Sequence, residues 1–137
     1  MSKYLVCETE MNDGESIKAA LKEMEYVFEE HTEAQHLFGY RGDQRSQKAH
    51  IIVRRQHVGK AANDVGFVRG SDGKYELIIS EYDKGSGQQQ GKNFTQKIKQ
   101  IYGKHHVLNE SRRLGLTFRN QKVEGGKVKI KCSYTGP

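Results

Sequence analysis

Tryptophan is absent from this chain of 137 residues, which contains only one proline and two cysteines. No apolar run approaches the roughly 18 residues that a membrane-spanning helix needs, so we expect no membrane segment. The first residues lead into acidic positions and do not resemble a secretion signal, so we expect a cytoplasmic protein. Cys7 and Cys132 fall on the first and last predicted strands, which could be neighbours in a sheet. We interpret them as buried thiols, because neither lies in a redox motif.

Acidic residues are scarce in the last part of the chain. Residues 84–137 contain 12 basic residues and only two acids, Glu110 and Glu124, which gives a net charge of +10. Residues 1–83 contain 11 basic and 15 acidic residues, which gives −4. Such asymmetry is typical of proteins that contact nucleic acid or an acidic protein. The alternative is a single domain in which the two charges largely offset each other.

The first half of the chain predicts one helix and several short strands. Residues 3–8 have the composition of a strand. Apolar residues at helical spacing, beginning with Ile17 and Leu21, predict a helix that Asp13 caps. Residues 26–33 fit either a helix end or an edge strand. Short apolar runs predict four further strands, at 37–40, 49–55, 65–69 and 74–82. A tight turn at Gly73 predicts that the last two of them form a hairpin.

The second half predicts a long helix and a closing hairpin. A flexible polar loop is expected around residues 84–92, followed by a helix that Asn93 caps and Gly115 ends. Gly103 inside this helix predicts close packing or a bend. Two strands, at 116–122 and 127–134, complete the chain. The whole order predicts a single α+β domain over residues 1–137, with two helices packed on one side of a mainly antiparallel sheet.

Three blocks of sequence, taken in series, resemble the Ycf35 family of uncharacterised small proteins, also called DUF1257. They are Gly39-Tyr40-Arg41-Gly42, then 64–69 continued by 72–77, and 102–108 leading to Gly115-Leu116. The family usually continues the second block into a stretch that contains tryptophan, which this chain lacks, so the resemblance implies a divergent member. It implies a small soluble protein of cyanobacteria, plastids and other bacteria, often encoded beside an AAA-type ATPase and a ferredoxin-like protein. It implies no established activity and no catalytic residues.

No catalytic signature is recognisable in the sequence. It contains no phosphate-binding loop, no nucleophile elbow and no zinc-protease motif, so we expect neither catalysis nor a cofactor. His105 falls on the apolar stripe of the long helix, and we interpret it as a core histidine. His31 and His36 lie near several glutamates but lack the spacing of a known metal site, so they make a weak candidate.

The turn at Gly39-Tyr40-Arg41-Gly42 leaves two interpretations open. Two glycines around an aromatic and a guanidinium group suggest a bend that presents Tyr40 and Arg41, a pair able to stack on a base or hold an anion. The alternative is a glycine-rich strand end with Tyr40 in the core.

Basic residues near the end of the chain form the best remaining candidate for a function. Lys127, Lys129 and Lys131 alternate with apolar residues, as on a strand with one outward lysine row. Such a row could bind RNA or DNA through phosphates, or it could protect an edge strand from aggregation. A second hypothesis is an adaptor that docks on an acidic protein or on an AAA-type ATPase. The candidate binding residues are Tyr40, Arg41, Arg112, Arg113, Arg119, Lys122, Lys127, Lys129 and Lys131.

Overall fold

A computed structural model describes residues 4–8, 11–59, 61–80, 89–124 and 127–134, and it describes side chains for Tyr4, 11–59, 61–80 and 94–115. The secondary structure follows the predicted alternation and confirms the α+β class. Its elements are β1 (Tyr4–Glu8), α1 (Gly14–Glu23), β2 (Glu29–Phe38), β3 (Gln44–Val53), α2 (Arg55–Val58), β4 (Val65–Arg69), β5 (Tyr75–Ser80), α3 (Gln89–Arg113), β6 (Leu116–Glu124) and β7 (Lys127–Tyr134). The first five strands form an antiparallel sheet in the order β1-β5-β4-β3-β2, and β6 pairs with β7 separately.

Helices α1 and α3 pack on the same face of the five-stranded sheet, as the sequence predicts. Ile17 and Leu21 of α1 and Ile98 of α3 are fully buried in one cluster with residues of β3, β4 and β5. Asp13 caps α1 as predicted, because its carboxylate accepts a hydrogen bond from the Glu15 backbone N–H. This face therefore holds the main hydrophobic core. None of the described helices is both long and apolar enough to cross a membrane.

β2 and β3 are longer than the strands predicted at 37–40 and 49–55, and the hairpin that they form bends. Its register moves from Glu30↔Ile51 to Gln35↔Ala49, so four β2 residues stand opposite the single β3 residue His50. Such a bulge bends a strand. Beyond it, Leu37 and Ala49 join a second buried cluster with Tyr4, Ile52 and Ile78. The outer half of the hairpin thereby folds over the second face of the sheet.

Gly66 of β4 lies directly beneath this folded half. A methyl group placed on Gly66 would lie 2.5 Å from Cβ of Ala49 and 3.0 Å from Cδ2 of Leu37. Carbon atoms in contact lie about 3.5–4.0 Å apart, so the space admits only glycine. The sequence signal for this close approach is a single glycine inside an otherwise apolar strand.

The start, the middle and the end of α3 agree with the predictions to different extents. The helix begins at Gln89, so the proposed cap at Asn93 is wrong, and residues 89–92 are helical while 84–88 lie outside the described residues. Glutamine is a good helix former, which explains the earlier start. Gly103 has no described atom within 4 Å of an added methyl group, so of the two alternatives close packing is wrong for the described residues, and a bend stays a prediction. Gly115 ends the helix as predicted, with φ +74°.

Cys7 and Cys132 do not lie on neighbouring strands. β1 is an edge strand whose hydrogen-bonded neighbour is β5, whereas β7 pairs with β6 in the separate two-stranded ladder. A redox pair of these thiols would require the two terminal strands to lie side by side in one sheet. The observed topology does not place them side by side.

Candidate functional site

The turn that joins β2 to β3 presents Tyr40 and Arg41 at the surface. Gly42 has φ +79°, and its N–H donates to the Gly39 carbonyl over 2.8 Å, which closes a tight turn. Tyr40 is half-buried and Arg41 is exposed, with the guanidinium carbon 5.3 Å from the centre of the Tyr40 ring. Of the two interpretations of this motif, the presenting bend matches the geometry, because Tyr40 lies outside both core clusters.

Two buried polar residues before β4 hold this turn in place. Asp64 is only 1% exposed, and its carboxylate accepts hydrogen bonds from the Phe38 and Arg55 backbone N–H groups over 2.8 and 2.6 Å. The Asn63 side chain accepts from the Tyr40 N–H over 3.0 Å. The block at residues 39–42 and the block that begins at Asp64, two of the three that resemble the family, therefore lie close together in the fold. Sequence reasoning missed both residues, and the available signal was a polar pair directly before a buried strand.

Arg54 completes this network by pairing with two carboxylates. Its Nη1 lies 2.8 Å from the Asp64 carboxylate, and its Nη2 lies 3.0 Å from the Glu29 carboxylate. The hydrogen bond from Arg54 is the main cause that lowers the pKa of Glu29, burial opposes it, and His31 adds to the lowering. Because these charges satisfy one another, we assign them a structural role. Of the cations in contact with the turn, Arg41 and Arg55 have no carboxylate partner among the described residues.

Two arginines at the end of α3 differ in how far they are neutralised. Arg113 forms an ion pair with Glu110, at 2.6 Å between Nη2 and Oε2. Arg112 is exposed and forms no ion pair with any residue whose side chain is described. The chain passes from this helix end directly into β6. Arg112 is therefore the member of the pair whose charge is not offset by a carboxylate among the described side chains.

Most of the remaining candidate binding residues lie on the paired strands β6 and β7. Lys122 is directly opposite Lys129, and Lys131 is opposite Asn120. Directly opposite residues share a face of an antiparallel ladder, so these register positions form one row. Lys127 shares the row but is opposite Glu124, which offsets its charge. Arg119 lies in the register shift between Phe118 and Asn120 and has no opposite residue.

The nine candidate residues thus fall into two groups. β6 and β7 contact α3, which packs on one face of the five-stranded sheet, whereas the Tyr40–Arg41 turn belongs to the hairpin half that folds over the other face. The chain does not gather them into one continuous basic surface.

The histidines have local structural partners. The ring of His105 is 25% exposed, and its Nε2 lies 3.0 Å from Glu23, so its interpretation as a core histidine is wrong. Tyr102, which is three residues before His105 on the same helix, is the buried side chain at this point of α3. Glu23 has a lowered pKa, mainly through a hydrogen bond from Lys104, with burial opposing and His105 adding.

The weak metal site around His31 and His36 does not form in the described part of the chain. His31 contacts Glu29 over 2.9 Å, whereas His36 contacts the Arg45 carbonyl over 2.7 Å. The described residues contain no group of three histidine, cysteine or acidic side chains that could hold a metal ion.

Comparison with known proteins gives one result. The model of the family described as "Protein of unknown function (DUF1257)" matches residues 20–130, about four fifths of the chain. The match contains the turn, the Asn63–Asp64 pair and most of the β6–β7 ladder. No curated protein and no solved structure matches the chain.

Proposed function

Because this chain belongs to the DUF1257 family, whose function is unknown, we propose that it binds the phosphate backbone of a nucleic acid. The binding surface is the lysine row of β6 and β7 with the adjoining end of α3. The observation that carries this proposal is the register of the two strands, in which Lys122 and Lys129 are opposite each other and Lys131 follows on the same face. Like charges placed directly opposite destabilise a ladder by about 0.2–1 kcal/mol, and a bound polyanion removes that cost.

The number of uncompensated charges sets the expected strength of binding. Glu124 and Glu110 offset Lys127 and Arg113, respectively. The remaining cations are Lys122, Lys129, Lys131, Arg112 and Arg119. Three to five phosphate contacts give a slope of about −3 to −4.5 for log K against log salt on duplex DNA. Affinity then falls about 40- to 500-fold between 50 and 200 mM salt.

Recognition by such a surface is independent of sequence. Lysines that neutralise phosphates position a protein on nucleic acid, but they do not distinguish the bases. Among the candidate residues, Tyr40 is the aromatic side chain on which a base could stack, and it belongs to the β2–β3 turn and not to the ladder. We therefore expect similar affinities for different sequences of equal length.

Fluorescence anisotropy with labelled RNA and duplex DNA tests this proposal. The test variant combines Lys122→Gln with Lys129→Gln, and the matched control combines Lys22→Gln with Lys48→Gln, two exposed lysines on other elements. Both variants lose two positive charges, so net charge alone cannot distinguish them. We expect the ladder variant to lose at least tenfold in affinity at low salt and the control to lose much less. Equal losses, or no binding at low salt by the unmodified protein, would contradict the proposal.

An acidic protein surface could use the same lysines. If the unmodified protein fails to bind nucleic acid but retains a nuclease-resistant protein partner that the ladder variant loses, the adaptor hypothesis replaces this one. The AAA-type ATPase that the family resemblance implies is the first partner to examine.

A further inference from the structure

A groove opens where β2 bulges away from β3. It has a volume of about 370 Å³ and is bordered by the bulged strand, the middle of β3 and the turn between β4 and β5. The volume lies within the range of about 300–1,000 Å³ that is usual for small-molecule sites. The bulge creates this space, because four β2 residues stand opposite the single residue His50. Bulges frequently lie next to functional sites.

Three hydrogen-bond donors of the groove have no partner among the described residues. His50 accepts a hydrogen bond at Nδ1 from the Arg69 backbone N–H over 3.1 Å, so its proton lies on Nε2. The Arg69 guanidinium is exposed and forms no ion pair with the described side chains. The Ser71 hydroxyl is exposed and forms no hydrogen bond within that same part of the chain. All three residues line the groove.

The acidic residue that lines the groove is ion-paired. The Glu30 carboxylate lies 3.0 Å from Nζ of Lys18, which also holds Glu15 at 2.7 Å. His31, which also lines the groove, contacts Glu29 over 2.9 Å, and Glu29 is in turn held by Arg54. An anion that enters the groove therefore meets Arg69, which has no ion-pair partner among the described side chains, while the Glu30 carboxylate that lines the groove is held by Lys18.

We propose that this groove binds the phosphate group of a small phosphate monoester. A phosphate monoester presents three acceptor oxygens, which matches donors that come from three chain segments: β3, the end of β4 and the following turn. The guanidinium of Arg69 takes two of the oxygens as a planar fork. His50 Nε2–H and the Ser71 hydroxyl donate to the remaining positions. The rest of the volume accommodates the organic part of the ligand.

This site is separate from the lysine ladder. The groove is formed by strands of the five-stranded sheet, whereas the ladder is β6 and β7. The inference therefore does not depend on nucleic-acid binding, and the two can fail independently.

Titration with glycerol 3-phosphate, followed by amide chemical shifts in two-dimensional NMR, tests the proposal. Inorganic phosphate serves as the minimal probe, and glycerol serves as the probe that lacks the phosphate. We expect saturable shifts centred on the amides of His50, Arg69 and Ser71 with both phosphate probes and none with glycerol. Shifts confined to Lys122, Lys129 and Lys131 would show that phosphate binds the ladder instead, and they would overturn the proposal.

Substitutions in the groove give the second readout. Arg69→Gln should raise the dissociation constant for glycerol 3-phosphate about tenfold, because a hydrogen-bonded charge partner is lost. The matched control is Lys22→Gln, which removes an exposed positive charge on α1 that belongs to neither candidate site. Ser71→Ala, at an exposed turn position, should weaken binding severalfold with little effect on folding. If Arg69→Gln and Ser71→Ala both bind as the unmodified protein does, or if Lys22→Gln weakens binding equally, the proposal is wrong.

Discussion

Replacing Gly66 with alanine tests whether the folded hairpin half rests directly on β4. The added methyl group would lie 2.5 Å from Cβ of Ala49, about 1 Å inside the normal contact distance. Cβ atoms are fixed to the backbone, so neither group can rotate away and the strands must separate. Overpacking of this kind costs about 1–3 kcal/mol, which exceeds the roughly 0.5–1 kcal/mol that glycine to alanine otherwise gains in a strand.

Urea unfolding measures the effect. Overpacking of about 2 kcal/mol less the strand gain leaves a net loss of about 1 kcal/mol, so with a denaturant slope of about 2 kcal/mol/M the midpoint should fall by about 0.5 M in Gly66→Ala. Ala49→Gly in the same chain removes the clashing atom and should recover most of the loss, which a double-mutant cycle quantifies. Gly103→Ala is the matched control, because an added methyl group there meets nothing within 4 Å, and it should stabilise by about 1 kcal/mol. An unchanged midpoint in Gly66→Ala, or no recovery with Ala49→Gly, would refute the packing argument.

Two further predictions concern the buried and interhelical charges. Asp64→Ala should lower the free energy of unfolding by about 3–5 kcal/mol, because it leaves the Phe38 and Arg55 backbone N–H groups without an acceptor, although Arg54 keeps Glu29. The loosened turn should also speed hydrogen exchange of the Tyr40 amide, and unchanged stability and exchange would contradict the network. Because folding lowers the pKa values of Glu23 and Glu29, both groups add to the free energy of unfolding. This contribution is fully present above their ordinary pKa of 4.5, and it is lost as pH falls through the lowered pKa values. Unfolding measured between pH 6 and 2 should show this loss, with a smaller pH slope in Glu23→Gln, whereas an equal slope in that variant would contradict the assignment.

Periodicity predicted the elements whose apolar residues repeat regularly. The face of α1 that includes Ile17 and Leu21 and the β4–β5 hairpin around Gly73 follow local rules, so the sequence was enough. β2 was predicted only in part, because Glu29–Phe38 is almost entirely polar and lacks the alternation of a half-buried strand. Its position depends on contacts made far along the chain, such as the two hydrogen bonds between Phe38 and Asp64: the Phe38 N–H donates to the Asp64 carboxylate, and the Asp64 N–H donates to the Phe38 carbonyl. Local patterns do not contain such contacts.

The candidate site was predictable to a similar extent. The lysine alternation in the last strand was visible in the sequence, but the offset of Lys127 by Glu124 depends on the register of two strands. The groove at His50 and Arg69 was not foreseen, because it arises from a bulge that no turn residue marks. Tyr40 and Arg41 were identified because two glycines signal a turn, whereas Asn63 was missed since its role lies in a contact 23 residues away.

The salt dependence of nucleic-acid binding tests the central claim most directly. Each phosphate contact contributes about −0.9 to the slope of log K against log salt on duplex DNA and about −0.7 on a single strand. Removing Lys122 and Lys129 together should therefore reduce the magnitude of the slope by about 1.4–1.8, whereas removing Lys22 and Lys48 should leave it unchanged. Equal slopes in the two variants would contradict the proposal that the β6–β7 ladder holds the phosphate backbone.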